Sequence, residues 1–212
     1  MIAKKILFTI FEQLEKTMEF NNNIEAVIFD CDGVLADTMP LHYEAYKRAF
    51  NEVGLTLERD FFYSCSGGKA SETLKKLLDG QNYSGDLLQL HQRKKEIMFD
   101  LISSEQLRPL ASARLVPLLS RCYRLAVVSS GSATSVNYVI RSLNLSEYFE
   151  EIITGEDVQL GKPNPEPFLL VADRMRIAPC KCLVIEDSQA GIEAADQAKM
   201  QSLSVYSFVP TI

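Results

Sequence analysis

Ala26-Val27-Ile28-Phe29-Asp30-Cys31-Asp32-Gly33-Val34 is the stretch whose reading decides the fold. Four apolar residues in an unbroken run suit a strand buried on both faces, as in a parallel sheet covered by helices. The run ends on an aspartate, and open α/β sheets bind their ligands beyond the carboxyl ends of the strands. Two further runs repeat the arrangement: Leu125-Ala126-Val127-Val128 leads into Ser129-Ser130-Gly131, and Leu183-Val184-Ile185 into Glu186-Asp187-Ser188. A fourth piece, Gly161-Lys162-Pro163, holds a lysine between a glycine and a proline. Carboxylates, a hydroxyl and an ammonium are therefore expected to converge on one crevice.

Around these strands the layout divides in two. From Leu110 onward helix and strand alternate, with helices lined by Val136, Val139, Ile140 and Leu143, by Phe168, Leu169 and Ala172, and by Ile192, Ala194, Ala195 and Ala198. Glu151–Thr154 reads as a short strand and Ser202–Tyr206 as the last one. Such alternation predicts a doubly wound α/β fold with a parallel sheet. Residues 38–107 carry no buried-strand signal. They read as helices: one opened by Pro40 and closed by Gly54, one around Leu74, Leu77 and Leu78 closed by Gly80, and a longer one from Leu87 to Ile102. The expected domains are a core built from residues 25–37 and 108–212, an inserted helical cap at 38–107, and an amphipathic helical extension at 1–24. In the extension Ile2, Ile6, Ile10, Leu14 and Met18 recur on one helix face, which packs on its own domain or forms a dimer contact.

The 212 residues include 28 acidic and 22 basic ones, a formal net charge of -6. That balance argues against a nucleic-acid or anionic-membrane partner, since both need basic surface. No apolar run approaches the roughly 20 residues that span a bilayer. The apolar start ends at Glu12 with no small-residue cleavage site after it. Five cysteines, an odd number with no Cys-x-x-Cys pair, read as reduced and mostly core thiols of a cytoplasmic protein. The expected oligomeric state is a monomer or a dimer.

Asp30, at a strand end, can act as a nucleophile if a nearby cation keeps it ionised. Asp32, two residues on, can reach a leaving oxygen, protonate it and later deprotonate water. Ser129 opens a helix start that suits a phosphate cradle, or else simply caps the helix. Lys162 can offset phosphate charge, or else sit on a surface turn. Glu186 and Asp187, adjacent at a buried strand end, are costly without a positive partner, and Mg²⁺ suits oxygen ligands.

These pieces, in this order and spacing, resemble the haloacid dehalogenase superfamily in the branch with a helical cap after the first strand, which has a Rossmann-like core. The resemblance runs from about Ala26 to Val205 and includes Asp30-Cys31-Asp32-Gly33-Val34, Val127-Val128-Ser129-Ser130-Gly131, Gly161-Lys162-Pro163-Asn164-Pro165 and Val184-Ile185-Glu186-Asp187-Ser188. It implies that Asp30 is the nucleophile and Asp32 the general acid and base, with Ser129 and Lys162 on the phosphoryl group. It implies a magnesium held by Asp30, the Asp32 carbonyl and Asp187, with Glu186 close by or acting through water. Ser112 and Lys199 stand where relatives usually carry glycine, so the local backbone there is expected to differ.

The superfamily spans dehalogenases, phosphatases and phosphomutases. Asp32 argues against a dehalogenase, whose leaving group needs no acid. The cap loop Ser64-Cys65-Ser66-Gly67-Gly68-Lys69-Ala70 is expected to contact substrate through Gly67, Gly68 and Lys69, with Ser130 facing it from the core. Similar sugar-phosphate mutases carry an arginine near Ala70 for a second phosphate, which favours a phosphatase acting on a small phosphorylated metabolite over a mutase. His42 is expected to meet Asp32 or the substrate, while His91, among Gln92, Arg93 and Lys94, reads as part of a solvated face. A non-enzymatic phosphoacceptor switch domain is the rival class. There the acidic pair precedes the acceptor aspartate, whereas here it comes last.

Overall fold

The computed structural model describes residues 23–205, so the helical extension expected at the amino end lies outside the described residues. Strand β1 (Ala26–Phe29) is the centre of a five-stranded sheet with β2 (Arg124–Val128), β3 (Glu151–Ile153), β4 (Cys182–Glu186) and β5 (Gln201–Ser204). All pairings are parallel and the order is β3-β2-β1-β4-β5. The sequence fills one side of β1 before it turns to the other, so a switch point falls between β1 and β4, where such sheets open a ligand crevice. Phe29 pairs with Val127 on one side and Ile185 on the other. That register sets Asp30 level with Val128 and Glu186 at the sheet's carboxyl edge, with Ser129 one residue further on.

Successive residues of β1 serve opposite faces, as the pleat requires. Val27 and Phe29 pack with Val127, Ile140 and Phe149, while Ala26 and Ile28 pack with Phe168, Val171 and Ala195. With both faces covered, all four residues are fully buried.

The segment after β1 forms four helices: α1 (Met39–Glu52), α2 (Arg59–Cys65), α3 (Ala70–Leu78) and α4 (Leu87–Ser104). They enclose an apolar centre of their own, built around Tyr46, Phe50, Phe62, Leu77, Met98 and Ile102. Helix α2 was not expected from the pattern, because Phe62 is its one buried residue. Val53, next to the Gly54 expected to close the first helix, is 44% exposed beyond the end of α1. The chain leaves and re-enters the sheet layer side by side: Asp37 N donates to Arg108 O at 3.1 Å and Leu110 N to Leu35 O at 3.0 Å.

The returning chain makes α5 (Val116–Leu119), α6 (Ala133–Ser142), α7 (Glu166–Met175) and α8 (Gln189–Gln197). Ser132 caps α6 and Ser188 caps α8, each accepting a backbone N–H three residues on. Ser112 is buried and its hydroxyl donates to the Val34 carbonyl, tying the re-entry point to the turn after β1. Lys199 adopts a left-handed backbone with φ 61°, the conformation that a glycine takes more readily. Of the five cysteines only Cys31 and Cys182 are buried, whereas Cys122 and Cys180 are exposed, which corrects the expectation of mostly core thiols. Among the described residues no helix is long and apolar enough to cross a membrane.

Candidate active site

A cavity of about 950 Å³ lies between the sheet's carboxyl edge and the four-helix block. Its floor carries Asp30, Asp32, Glu186 and Asp187, and its roof carries His42, His91 and Lys94.

Beneath the floor, Lys162 is 1% exposed, and its ammonium donates to Asp30 Oδ1 (2.6 Å), Glu186 Oε1 (2.9 Å) and the Val128 carbonyl (3.0 Å). All three of its N–H bonds are thereby used. Burial opposes its charge, but Asp30 and Glu186 outweigh burial and raise its pKa, so it stays an ammonium.

One lysine does not satisfy three carboxylates. Burial raises the Asp30 pKa well above the carboxylate range, with Glu186, Asp187 and Asp32 acting in the same direction and Lys162 against it. Asp187 is pushed up to about 8 by burial and by Glu186. Oxygens of Asp30, Glu186 and Asp187 all lie within 4.8 Å of one another. Crowded carboxylates with unmet negative charge fit a small divalent cation that prefers oxygen ligands.

The three do not offer themselves equally. Glu186 accepts from Lys162 and Ser188 Oγ on one oxygen, and from the backbone N–H groups of Asp187 and Ser188 on the other. Its oxygens are occupied, which leaves Asp30 and Asp187 with room for a metal. Burial raises the Glu186 pKa, but Lys162 and these donors outweigh it and hold the group ionised. Gly33 adopts φ +82°, and any side chain there would run into the Asp187 carboxylate. The turn after Asp32 can therefore lie against Asp187 only with glycine at that position.

Asp32 is held from three sides. Thr38 Oγ1 donates to its Oδ1 at 2.5 Å, His42 Nε2 lies 3.1 Å from the same oxygen, and Ser129 Oγ donates to Oδ2 at 3.2 Å. Behind His42, its Nδ1 is 3.0 Å from the ammonium of Lys94, which also sits 4.6 Å over the Tyr46 ring. One tautomer satisfies the chain: Lys94 donates to Nδ1 and the Nε2 proton is donated to Asp32. Burial raises the Asp32 pKa, but His42, Thr38 and Lys94 outweigh it and hold the carboxyl below its usual value. Burial, with Lys95 in support, draws Lys94 down to about 8.

Lys94 is buried, which corrects its placement on a solvated face. A signal was present: Leu90, Lys94, Ile97 and Leu101 fall on one helical stripe, so the lysine interrupts an apolar face. His91 lines the cavity instead of facing solvent. Ser129 is not the helix cap, since Ser132 holds that position. Its hydroxyl accepts from Gly131 N at 3.0 Å. Ser130 Oγ lies 3.5 Å from the Gly67 carbonyl, so the two sequence-expected contacts meet across the cleft.

Gly67 and Gly68 let the loop between α2 and α3 press onto the sheet layer. A side chain at Gly67 would collide with Ser188, and one at Gly68 would crowd the Lys162 carbonyl. The Lys69 ammonium, expected to face a substrate, instead donates to the carbonyls of Val158 (2.8 Å) and Gln159 (2.9 Å). The loop leading to Lys162 lies directly beneath it and takes its charge. Lys95 adds a second tie, at 2.6 Å to Glu156.

Residues 27–205 match the model of the haloacid dehalogenase-like hydrolases. A phosphorylated carbohydrates phosphatase of Thermotoga maritima is 34% identical over 184 residues, covering 85% of this chain and 84% of its own. A β-phosphoglucomutase structure from Clostridium difficile superposes with a TM-score of 0.76 at 30% identity, covering 85% of this chain and 84% of that one. The CbbY protein of Rhodobacter sphaeroides, solved in complex with phosphate, gives 0.78 at 26% identity, with 85% of each chain covered.

Proposed function

The chain belongs to the haloacid dehalogenase-like hydrolase family, and from that premise we propose that it is a magnesium-dependent phosphatase of small phosphorylated carbohydrates that works through an aspartyl-phosphate on Asp30. Membership in a hydrolase family sets aside the phosphoacceptor switch. The observation that carries the reading is Asp32, held at the cavity floor by Thr38, His42 and Ser129 beside Asp30. A halide leaving group has no use for such a residue, whereas an alkoxide does.

Asp30 Oδ1 is tied to Lys162, so Oδ2 is the oxygen that attacks phosphorus. Asp32 gives a proton to the departing ester oxygen, having gained it when the substrate dianion beside it raised its pKa. It then takes a proton from the water that cleaves the acyl-phosphate, so each cycle consumes one water and releases an alcohol and inorganic phosphate. Ser129 would bind a phosphoryl oxygen by turning its hydroxyl from Asp32, and Lys162, whose three N–H bonds are taken, acts by its charge beneath the floor. Asp30 and Asp187 would hold the metal, which supplies positive charge to the transferring group. Glu186, with its oxygens occupied, orients Lys162 and the start of α8. Residues 38–107 act as a cap, with the paired connections 35–37 and 108–110 as its hinge and Lys69 and Lys95 fastening it shut.

Phosphate release from p-nitrophenyl phosphate and from sugar monophosphates is expected with Mg²⁺ and is expected to vanish in EDTA, because three crowded carboxylates repel an incoming dianion. Full activity in chelator overturns the mechanism. Analysis of the products separates a mutase: isomerised sugar phosphate without free phosphate would favour that reading. Ala70, in place of the arginine of similar mutases, argues against it. Lys69→Ala removes a tie of the cap to the core, so KM is expected to rise several-fold for p-nitrophenyl phosphate and sugar phosphates alike. A change confined to sugar phosphates would show Lys69 reading the substrate instead.

A further inference from the structure

His91, Lys94 and Lys95 occupy neighbouring positions on one face of α4, and all three line the cavity. Two of them are committed. Lys94 is bound to His42 and lies over the Tyr46 ring, and Lys95 is paired with Glu156. Neither ring nitrogen of His91 has a hydrogen-bond partner among the described residues. Its Nδ1 is the one buried side-chain polar atom left unpaired among them. Native proteins keep few such atoms, because an unmade buried hydrogen bond costs free energy. Nδ1 is shut off from the cavity, whereas Nε2, unpaired and not buried, is the nitrogen that the ring leaves open to a ligand.

We propose that His91 determines substrate specificity by hydrogen-bonding a hydroxyl at the end of the substrate away from its phosphoryl group. The proposal rests on the phosphatase reading above and adds to it which part of the substrate is recognised. Placement supports it. Lys94 reaches through His42 to Asp32, where the ester oxygen departs, and His91 stands about one turn, roughly 5 Å, from Lys94 along α4.

Charge supports a hydroxyl over a second anion. Lys95 is neutralised by Glu156, the Lys94 ammonium is engaged by His42 and Tyr46, and Arg59, which also lines the cavity, lies 5.6 Å over the Tyr63 ring. Burial, then Lys94 and Lys95, lower the His91 pKa against the pull of Glu156. Nε2 of the neutral ring is a donor or an acceptor according to the tautomer, and a hydroxyl can answer either. Singly phosphorylated polyhydroxy compounds are therefore the class that fits.

The test compares wild type, His91→Leu and His91→Gln with Mg²⁺ on fructose 1-phosphate, glucose 6-phosphate, 6-phosphogluconate, fructose 1,6-bisphosphate and p-nitrophenyl phosphate. For the best sugar monophosphate, kcat/KM is expected to fall about tenfold or more in His91→Leu and to recover in part in His91→Gln. With p-nitrophenyl phosphate, which carries no hydroxyl, both variants should stay within about twofold of wild type. Equal losses on all substrates, no loss on any, or a loss confined to the two doubly anionic compounds would each overturn the proposal. So would a wild type that prefers p-nitrophenyl phosphate to every sugar phosphate. A wild type that releases phosphate from none of them overturns the phosphatase reading itself, and this inference with it.

Discussion

Asp30→Asn is expected to lower turnover by roughly 10⁴-fold or more, because an amide oxygen is a poor nucleophile and no neighbouring carboxylate can take its place. Glu186 is fully engaged with Lys162 and the start of α8, and Asp32 is tied to Thr38, His42 and Ser129. The fold should survive. Lys162 loses its ion pair with Asp30, can still donate to the asparagine carbonyl oxygen, and keeps Glu186 and the Val128 carbonyl, so its charge is not left unpaired. The substitution also removes one of the charges that crowd Asp187. Steady-state rates on p-nitrophenyl phosphate, a melting curve, and a mass measurement on enzyme quenched during turnover check the expectation together. Wild type should carry a trapped phosphoryl group and Asp30→Asn should not. A variant that keeps rates within tenfold of wild type would show that another group attacks phosphorus.

Asp32→Ala is expected to cost about 10²–10⁴-fold on alkyl phosphates, the range typical of losing a positioned proton donor and acceptor. The loss should differ between the two halves of the reaction. p-Nitrophenolate leaves without a proton, so formation of the acyl-phosphate from that ester should be nearly spared. Its hydrolysis still needs a base, so phosphorylated enzyme should accumulate and give a burst of p-nitrophenol followed by a slow steady rate. Alkyl phosphates should show no burst. Equal loss in the first step for both ester types would remove Asp32 from the acid role.

The sheet and its functional edge were legible in the sequence because one physical pattern marks both. Ala26–Phe29, Leu125–Val128 and Leu183–Ile185 are unbroken apolar runs, each of which stops at a polar residue where the strand leaves the core. The pattern was silent where a partner far along the chain decides the outcome. The stripe of Leu90, Ile97 and Leu101 marks Lys94 as buried, but nothing near it shows that His42 from another helix is its partner. Lys69 was expected to face substrate, because nothing local announces that the carbonyls of Val158 and Gln159 sit beneath it. Helix α2 went unseen because seven residues with one buried side chain set no period. Lys199 shows the converse, a local rule overridden: its left-handed backbone follows from the turn between α8 and β5, which the surrounding packing fixes.

The place of β1 at the middle of the sheet also bears on how the molecule is made. Ala26 pairs with Arg124 and with Cys182, partners that leave the ribosome about 100 and about 160 residues later, and pairings this remote slow folding. The helical insertion between them closes on contacts within its own stretch, chiefly α1 against α4. Asp30 is thus the first residue of the site to be synthesised and among the last to find its surroundings. Until Glu186 is added, the nascent chain has an apolar strand without its second neighbour and a lysine at position 162 without its second carboxylate. A protein arrested anywhere short of β4 has no crevice in which to hold a phosphate.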